Sequence, residues 1–547
     1  METIKLTINN EVKEFEKGIK LKDIISSLKK ENDFDIITAR LSGKVIYHDY
    51  AFTKSGKLSF YNVNSNIGNK AYERGILFLF NICANEILGK DTNIIVKHSI
   101  DKGIFCKIDK KVEEEDIISI KKLMKEKIKK NIPFVRIETT KEEALEYFKS
   151  IKRNDKMRTL FYNTDNLVTL YCLEDHYNFL IGELPLSTGV LKYFDLTLIK
   201  DKGVVVRFPS IYDANKVIKY THHENYFNSL EEYSLWGEKL KVSNLGELND
   251  YITNNNSKEI IQLSEIMQNY KLLSIAEEIT LNNYKVILLS GPSSSGKTTT
   301  AMKLSLYLKS LGLNPTELSI DDYFHDREDT PLGPDGNPDF ESLKAVNVKL
   351  FDNQVSKLLK GNKVTIPTFN FVTGKKEYKK TVSLGEKDIL IVEGLHALNE
   401  ELLTNIPKKE KFKIYVSPLT YLNIDNDNRI SMTDLRLLRR IVRDSRTRGY
   451  SPSITINTWD KVRKGEEKYV FPYQDSANVI FNSSLAYEIG ALRVYVEPLL
   501  YTIKDTDPGY QTAQRLLELL KCSLSIPSEN VPKDSILREF IGGSYFE

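Results

Sequence analysis

The chain has 547 residues, and its 78 Lys and Arg against 75 Asp and Glu leave a formal net charge of +3, so composition gives no reason to expect a nucleic-acid or membrane-surface partner. That length exceeds what one hydrophobic core organises and predicts roughly two to four domains. Cys83, Cys106, Cys172 and Cys522 are scattered without a C-x-x-C pair, which argues against a disulfide framework or a zinc knuckle and fits a reducing compartment. The start, METIKLTINNEVKEF, has no apolar signal core, and the longest apolar run, Gly75 to Ala84, is too short to span a bilayer. We therefore expect a cytoplasmic protein with no membrane partner.

From Met1, Ile4, Leu6 and Ile8 alternate as in a strand, LKDIISSLKK has helical spacing, and ITARLSGKVIY and KLSFYNV read as short strands with Gly43 in a turn. This order resembles the β-grasp TGS domain of threonyl-tRNA synthetases and some GTPases, and implies such a domain over 1–65. A generic ubiquitin-like module uses the same elements. Over 66–235, HSIDKGIFCKI, NIPFVRIETTKEEALEYF and GELPLSTGVLKYFDL together resemble the second additional domain of threonyl-tRNA synthetase, which implies an α+β fold. In that family an H-x-x-x-H pair and a later C-x-x-x-H pair clear mischarged tRNA. Here the corresponding helix reads YERGILFLF, and the second pair falls on Leu180 and Leu184. Leucine neither ligates a metal nor moves a proton, so editing chemistry is not expected. His98 alone reads as structural. His222 and His223 are adjacent and point apart, so they do not read as a metal pair.

Residues 236–283 read as a helical connector, with Leu263, Ile266, Met267, Leu272, Ile275 and Ile279 at three- and four-residue steps. Next comes VILLSGPSSSGKTTT, Val286 to Thr300, an apolar strand that breaks into G-x-x-x-x-G-K-[ST] and then a helix. Gly291 and Gly296 let the backbone turn several N–H groups onto one anion, at the positive end of the helix dipole. Small Ser293, Ser294 and Ser295 leave room for a nucleotide, Lys297 would reach the β and γ phosphates, and Thr298 would hold Mg²⁺, with Thr299 beside it. This predicts a nucleoside triphosphate site.

PTELSIDDYF (Pro315 to Phe324) is a strand ending in two acids, and from here the chain resembles the uridine kinase and phosphoribulokinase family. The resemblance implies that Asp321 takes the proton of the acceptor hydroxyl, with Asp322 the alternative and a plain helix-capping role for both acids left open. In DILIVEGLHAL it implies a metal-side acid at Glu393, facing Thr298. In DLRLLRRIVRDSRTRGY (Asp434 to Tyr450), Arg436, Arg440 and Arg443 fall along one helix side. The matching lid pattern implies Arg440 towards the acceptor and Arg443 and Arg448 towards the phosphates. Glu341 in DFESLKAVN stands where the family binds ribose hydroxyls with an Asp. Phe369 and Gly374 in IPTFNFVTGKK replace a Tyr and a His that touch the pyrimidine, and Tyr450 replaces a further arginine.

The resemblance thus implies a multidomain α/β and α+β chain whose 284–505 segment is a P-loop kinase with a doubly wound parallel sheet, followed by a helix and tail over 506–547. It further implies ATP and Mg²⁺, a nucleoside acceptor, and an ATP-dependent nucleoside kinase similar to uridine and cytidine kinases. Stacking on Phe369 is retained in this reading, while base-selecting hydrogen bonds are lost. Two alternatives remain: a kinase of another small alcohol, and a tRNA-binding regulatory protein using the P-loop as a switch. Asp321 and the arginines favour the enzyme, since a switch needs neither. A homo-oligomer is compatible with the sequence.

Overall fold

The apolar alternation at the N-terminus closes into a sheet. In the computed structural model, which describes residues 2–28, 35–333, 336, 338–370 and 373–546, the chain divides into two units. One comprises Met1–His222, Asn244–Gly246 and Asn423–Arg429, and the other His223–Ser243, Glu247–Leu422 and Ile430–Glu547.

The first unit begins with β1 (Thr3–Ile8), β2 (Glu11–Glu16), α1 (Leu21–Leu28), β3 (Thr38–Leu41), β4 (Lys44–Ile46) and β5 (Gly56–Tyr61). Strand order is β2-β1-β5-β3-β4, with β1 parallel to β5 and the other pairs antiparallel. Ile4, Leu6 and Ile8 point inward against Leu21, Ile24 and Leu28 of α1, the period-two face meeting a helical stripe. The expected helix extended to Lys29 and Lys30, which lie outside the described residues.

After Ser65, whose hydroxyl accepts from the Gly68 N–H, α2 (Asn66–Leu88) packs with β6 (Ile94–Ile100), β7 (Gly103–Ile108) and α3 (Glu114–Lys130). Then come β8 (Val135–Thr140), α4 (Lys141–Ser150), α5 (Asn154–Phe161), β9 (Leu167–Leu173), β10 (His176–Asn178), β11 (Asp195–Ile199) and β12 (Gly203–Arg207). They form a three-stranded sheet, β10-β9-β8, and a four-stranded one, β11-β12-β7-β6. Leu180 and Leu184 sit in the apolar core with Ile76, Phe80, Val96 and Cys106. His98 is buried on β6, and burial, then the charges of Lys97 and Arg429, push its pKa down to about 3. It is a neutral core imidazole. His222 is exposed, its Nδ1 2.8 Å from the Tyr220 hydroxyl. All four cysteines are buried, and none takes part in a disulfide.

The most charged feature of this unit is buried. Asp155, Asp425 and Asp427 place carboxylate oxygens close enough together to hold a metal ion, but two cations of the chain already stand among them. Lys156 Nζ lies 2.9 Å from Asp425 and 3.0 Å from Asp427, and Arg153 lies 2.6 Å from Asp427. Burial opposes charge on Asp427, yet Arg153 and then Lys156 hold its carboxyl far below the usual range. The cluster is an internal ion-pair network.

The second unit carries α6 (Glu224–Leu240), α7 (Leu245–Thr253, its first two residues counted with the other unit) and α8 (Ser257–Leu281). There follow β13 (Val286–Ser290), α9 (Lys297–Ser310), β14 (Asn314–Ser319), α10 (Val348–Leu359), β15 (Val364–Asn370), β16 (Lys375–Val382), β17 (Asp388–Glu393) and β18 (Lys411–Ser417). It ends with α11 (Met432–Thr447), α12 (Pro452–Tyr469), β19 (Val479–Asn482), α13 (Glu488–Tyr501), α14 (Tyr510–Lys521) and α15 (Arg538–Ile541). The sheet β14-β17-β13-β18-β19 is parallel throughout, and β13 is buried along its whole length, as a strand covered on both faces requires. Among the described residues no helix is long and apolar enough to cross a membrane.

Removing Lys156 while leaving its carboxylates should strongly destabilise the first unit. Lys156→Met is expected to cost about 3–5 kcal/mol, because uncompensated buried charge remains. Hydrogen exchange across residues 153–161 and 423–429 should accelerate; unchanged protection there would contradict this account of the network.

Candidate active site

Three adjacent strands, β14, β17 and β13, end on one edge of the parallel sheet, where such sheets bind ligands. After β13 the chain turns at Gly291, where an added Cβ would lie 2.0 Å from the Val416 carbonyl oxygen, so no side chain fits. Gly296 has φ of 85° and Ser294 of 59°. These left-handed residues coil the loop into the opening of α9, where the helix leaves N–H groups unmatched. Lys297 folds back, its Nζ 3.2 Å from the Pro292 carbonyl, and Thr298 is exposed at the mouth. Among the described residues, the buried hydroxyls of Ser294 and Ser295 have no hydrogen-bond partner.

The loop is held by α11. Arg436 Nε donates to the Ser293 carbonyl over 2.8 Å and pairs with Glu466 of α12, which itself accepts the Ser293 N–H over 2.8 Å. Arg439 donates to the Ser294 carbonyl over 3.3 Å and pairs with Glu488 of α13. Both arginines are buried, which corrects the expectation that Arg436 lines a lid with Arg440 and Arg443. Its charge is spent on Glu466 and on the loop backbone.

Arg440, Arg443 and Arg448 gather around one buried carboxylate, Asp444, at 3.1, 2.8 and 3.6 Å. Arg440 also donates to the Ser293 hydroxyl over 3.0 Å and lies over the Trp459 ring, 5.7 Å from its centroid. Asp444 thereby orients three guanidinium groups, two of them four residues away and the third its neighbour in sequence.

The acids divide by partner. The Asp322 carboxylate accepts the Phe369 N–H over 3.0 Å and so anchors the loop after β14 to β15. Asp321 faces the site: burial raises its pKa, while the charges of Lys297 and Arg448 pull the other way. Glu393, at the end of β17, is pushed up to about 7 by burial and then by Asp321, although the Ser319 hydroxyl donates to it over 2.9 Å. Glu341 is also pushed up to about 7, by burial and then by Glu466, against Arg440. It approaches α12 where Gly465 has no side chain; a Cβ there would meet the Glu341 Cβ at 2.7 Å. Asp321, Glu341, Glu393, Lys297 and Arg440 thus form one electrostatic group.

Three expectations need correction. Phe369 is 5% exposed and forms a T-shaped pair with Phe324, 5.8 Å between centroids, so almost none of the ring is open to stack on a base. Gly374 has φ of 71° and a Cβ there would lie 2.8 Å from the Arg327 Cβ, so it is a hairpin glycine and not the gap left by a missing histidine. Thr299 is buried, with its hydroxyl donated over 2.8 Å to Glu539, near the far end of the chain.

The model of the phosphoribulokinase / uridine kinase family matches residues 286–489. That segment is a P-loop kinase of this family. The uridine kinase of Staphylococcus epidermidis is 28% identical over 201 residues, 37% of this chain and 88% of that protein. The uridine kinase of Staphylococcus haemolyticus is 29% identical over 199 residues, 36% and 87% respectively. A solved structure from Bacillus stearothermophilus, described as a possible uridine kinase, aligns at 20% identity with a TM-score of 0.25, covering 36% of this chain and 89% of its own.

Sequence reasoning about the kinase region missed Asp444, Glu466, Glu488 and Glu539. The first adjoins an arginine in the sequence and could have been read as its partner. The others reach the loop only through tertiary packing. His396, in the same strand-end motif as Glu393, is buried against Tyr469, and burial pushes its pKa down to about 4.

The Glu341 pKa predicts a signed stability effect. With a folded value of about 7 against 4.5 as the ordinary value, the native state binds the proton more tightly, so stability falls as pH rises from about 4.5 through 7. Glu341→Gln should match wild type in stability near pH 3.5 and exceed it at pH 8 by at most about 3 kcal/mol, read as a Tm difference that grows with pH. A constant Tm difference across that range would refute the assignment.

Proposed function

We propose that the chain is an ATP-dependent phosphotransferase acting on an alcohol, and specifically on the 5'-hydroxyl of a nucleoside. The observation that carries this reading is the placement of Asp321 at the end of β14, electrostatically coupled to Lys297 on one side and to Glu341 on the other. Asp321 would orient the acceptor hydroxyl and receive its proton late, as phosphoryl transfer is mainly a matter of alignment and charge. Lys297 and the α9 N–H groups would hold phosphate oxygens, Arg443 and Arg448 would add bidentate donors, and Arg440 would face the acceptor.

The residues suit ATP and Mg²⁺. Gly291 and Gly296 form a cradle that Cβ atoms would fill, two buried serine hydroxyls there have no partner among the described residues, and Thr298 and Glu393 offer oxygen ligands. Bound Mg²⁺ would neutralise charge on the phosphates.

Glu341 would take sugar hydroxyls. The covered Phe369 and the turn-forming Gly374 leave base recognition without those two residues, and this specifically supports a second reading, a kinase of another small polyhydroxy alcohol. For the N-terminal half we propose a TGS-like and synthetase-like pair of domains without editing activity, because the helix YERGILFLF holds no histidine and the second polar pair falls on Leu180 and Leu184, both in the apolar core.

Lys297→Ala should weaken ATP binding and lower kcat together, by about 10²–10³-fold. Asp321→Asn should lower kcat by about 10²–10⁴-fold with ATP affinity nearly intact. Calorimetry with steady-state rates separates the two, and wild-type turnover in Asp321→Asn would remove Asp321 as the base. With labelled ATP, a panel of uridine, cytidine, thymidine and free sugars should show phosphorylation of the nucleosides. Label transferred only to sugars would move the conclusion to the second reading.

A further inference from the structure

The C-terminal tail, beyond the family-matched segment, is built against the phosphate loop. Ile536 is fully buried in front of Gly296, where an added Cβ would lie 2.5 Å from its Cγ2. Phe540 is fully buried beneath the Arg439 guanidinium, 4.9 Å from the ring centroid. Arg446, in the last turn of α11, donates to the carbonyls of Glu539 and Phe540 over 3.1 and 3.3 Å. These anchors set the Glu539 side chain against the start of α9. Its Oε2 accepts the Thr299 hydroxyl over 2.8 Å and the Thr299 N–H over 3.4 Å.

That N–H belongs to the first turn of the helix, whose donors have no partner within the helix and serve anions in phosphate loops. Glu539 is therefore an anion of the chain itself standing on a donor of the nucleotide site. Its charge also reaches Glu393 across the site.

We propose that Glu539 is an affinity-setting residue of the donor site, a carboxylate fixed on Thr299 that opposes anionic ligands and sets how tightly a nucleotide polyphosphate binds. The proposal rests on the kinase reading above. A phosphate oxygen that takes the Thr299 N–H, which Glu539 holds only at 3.4 Å, would stand beside a carboxylate fixed on the Thr299 hydroxyl, and two like charges at such separation in a partly desolvated site disfavour one another by about an order of magnitude or more in affinity. The nucleotide either displaces this side chain or binds against its charge.

Glu539→Gln tests this directly. The amide oxygen still accepts from Thr299 and the anchors at Ile536, Phe540 and Arg446 are untouched, so only the charge is removed. Titration of ADP with Mg²⁺ into the full-length protein should give a Kd about tenfold tighter than wild type, and the difference should shrink as salt is raised from about 0.05 to 0.5 M. Equal or weaker binding by Glu539→Gln overturns the proposal while leaving the kinase intact. Should that variant fail to fold, Glu539→Asp, which draws the charge back by one methylene, should bind ADP more tightly than wild type, and an unchanged Kd overturns the proposal equally. If wild type, Glu539→Gln and Lys297→Ala all fail to bind ADP, the kinase reading falls and this inference with it.

Discussion

Two buried ion pairs determine whether the phosphate loop exists as a site. Arg436 with Glu466 and Arg439 with Glu488 are removed from water and grip the carbonyls of Ser293 and Ser294. Such pairs contribute little net stability, because desolvation offsets their attraction. Their effect is geometric. A loop with two residues in left-handed backbone conformation would relax if its carbonyls were free, and the arginines leave them one arrangement. Helices α11, α12 and α13 are thus joined to the loop through charge, and the outer arginines around Asp444 inherit their orientation from the same helix.

The kinase region was the most legible part of the sequence because its signals are local. Val286 to Thr300 carries strand, turn and helix in one stretch, and the glycines have steric reasons that hold in the fold: one abuts a backbone carbonyl, the other has positive φ. Asp321 and Asp322 are neighbours that the sequence does not distinguish; in the fold they differ in that Asp322 accepts the Phe369 N–H. Phe369 and Gly374 were read from a family pattern as groups facing a base, but aromatic exposure and backbone handedness are tertiary facts. The N-terminal strands were visible through alternation, and Leu180 and Leu184 sit in the apolar core that their chemistry predicts.

Charge was where reading along the chain failed. Glu466 and Glu539 look like ordinary surface acids in KGEEKY and LREFI. Each matters because of a partner far away in sequence, Arg436 in one case and Thr299 in the other, and no periodicity reports that. The same holds for Lys156, which composition would place on the surface and which is fully buried.

That lysine has a consequence for how the chain is made. Its carboxylate partner Asp425 is 269 residues downstream, on the Asn423–Arg429 segment that belongs to the first unit although the strand before it and the helix after it belong to the second. While the ribosome has released only the N-terminal half, Lys156 and Arg153 have no Asp425 or Asp427 to neutralise them, and the apolar surroundings that later bury them oppose their charge. The first unit is therefore first in sequence but not first to be completed. Its last buried charges are matched only after most of the parallel sheet has been synthesised, so vectorial synthesis imposes no simple N-to-C order of maturation on this protein.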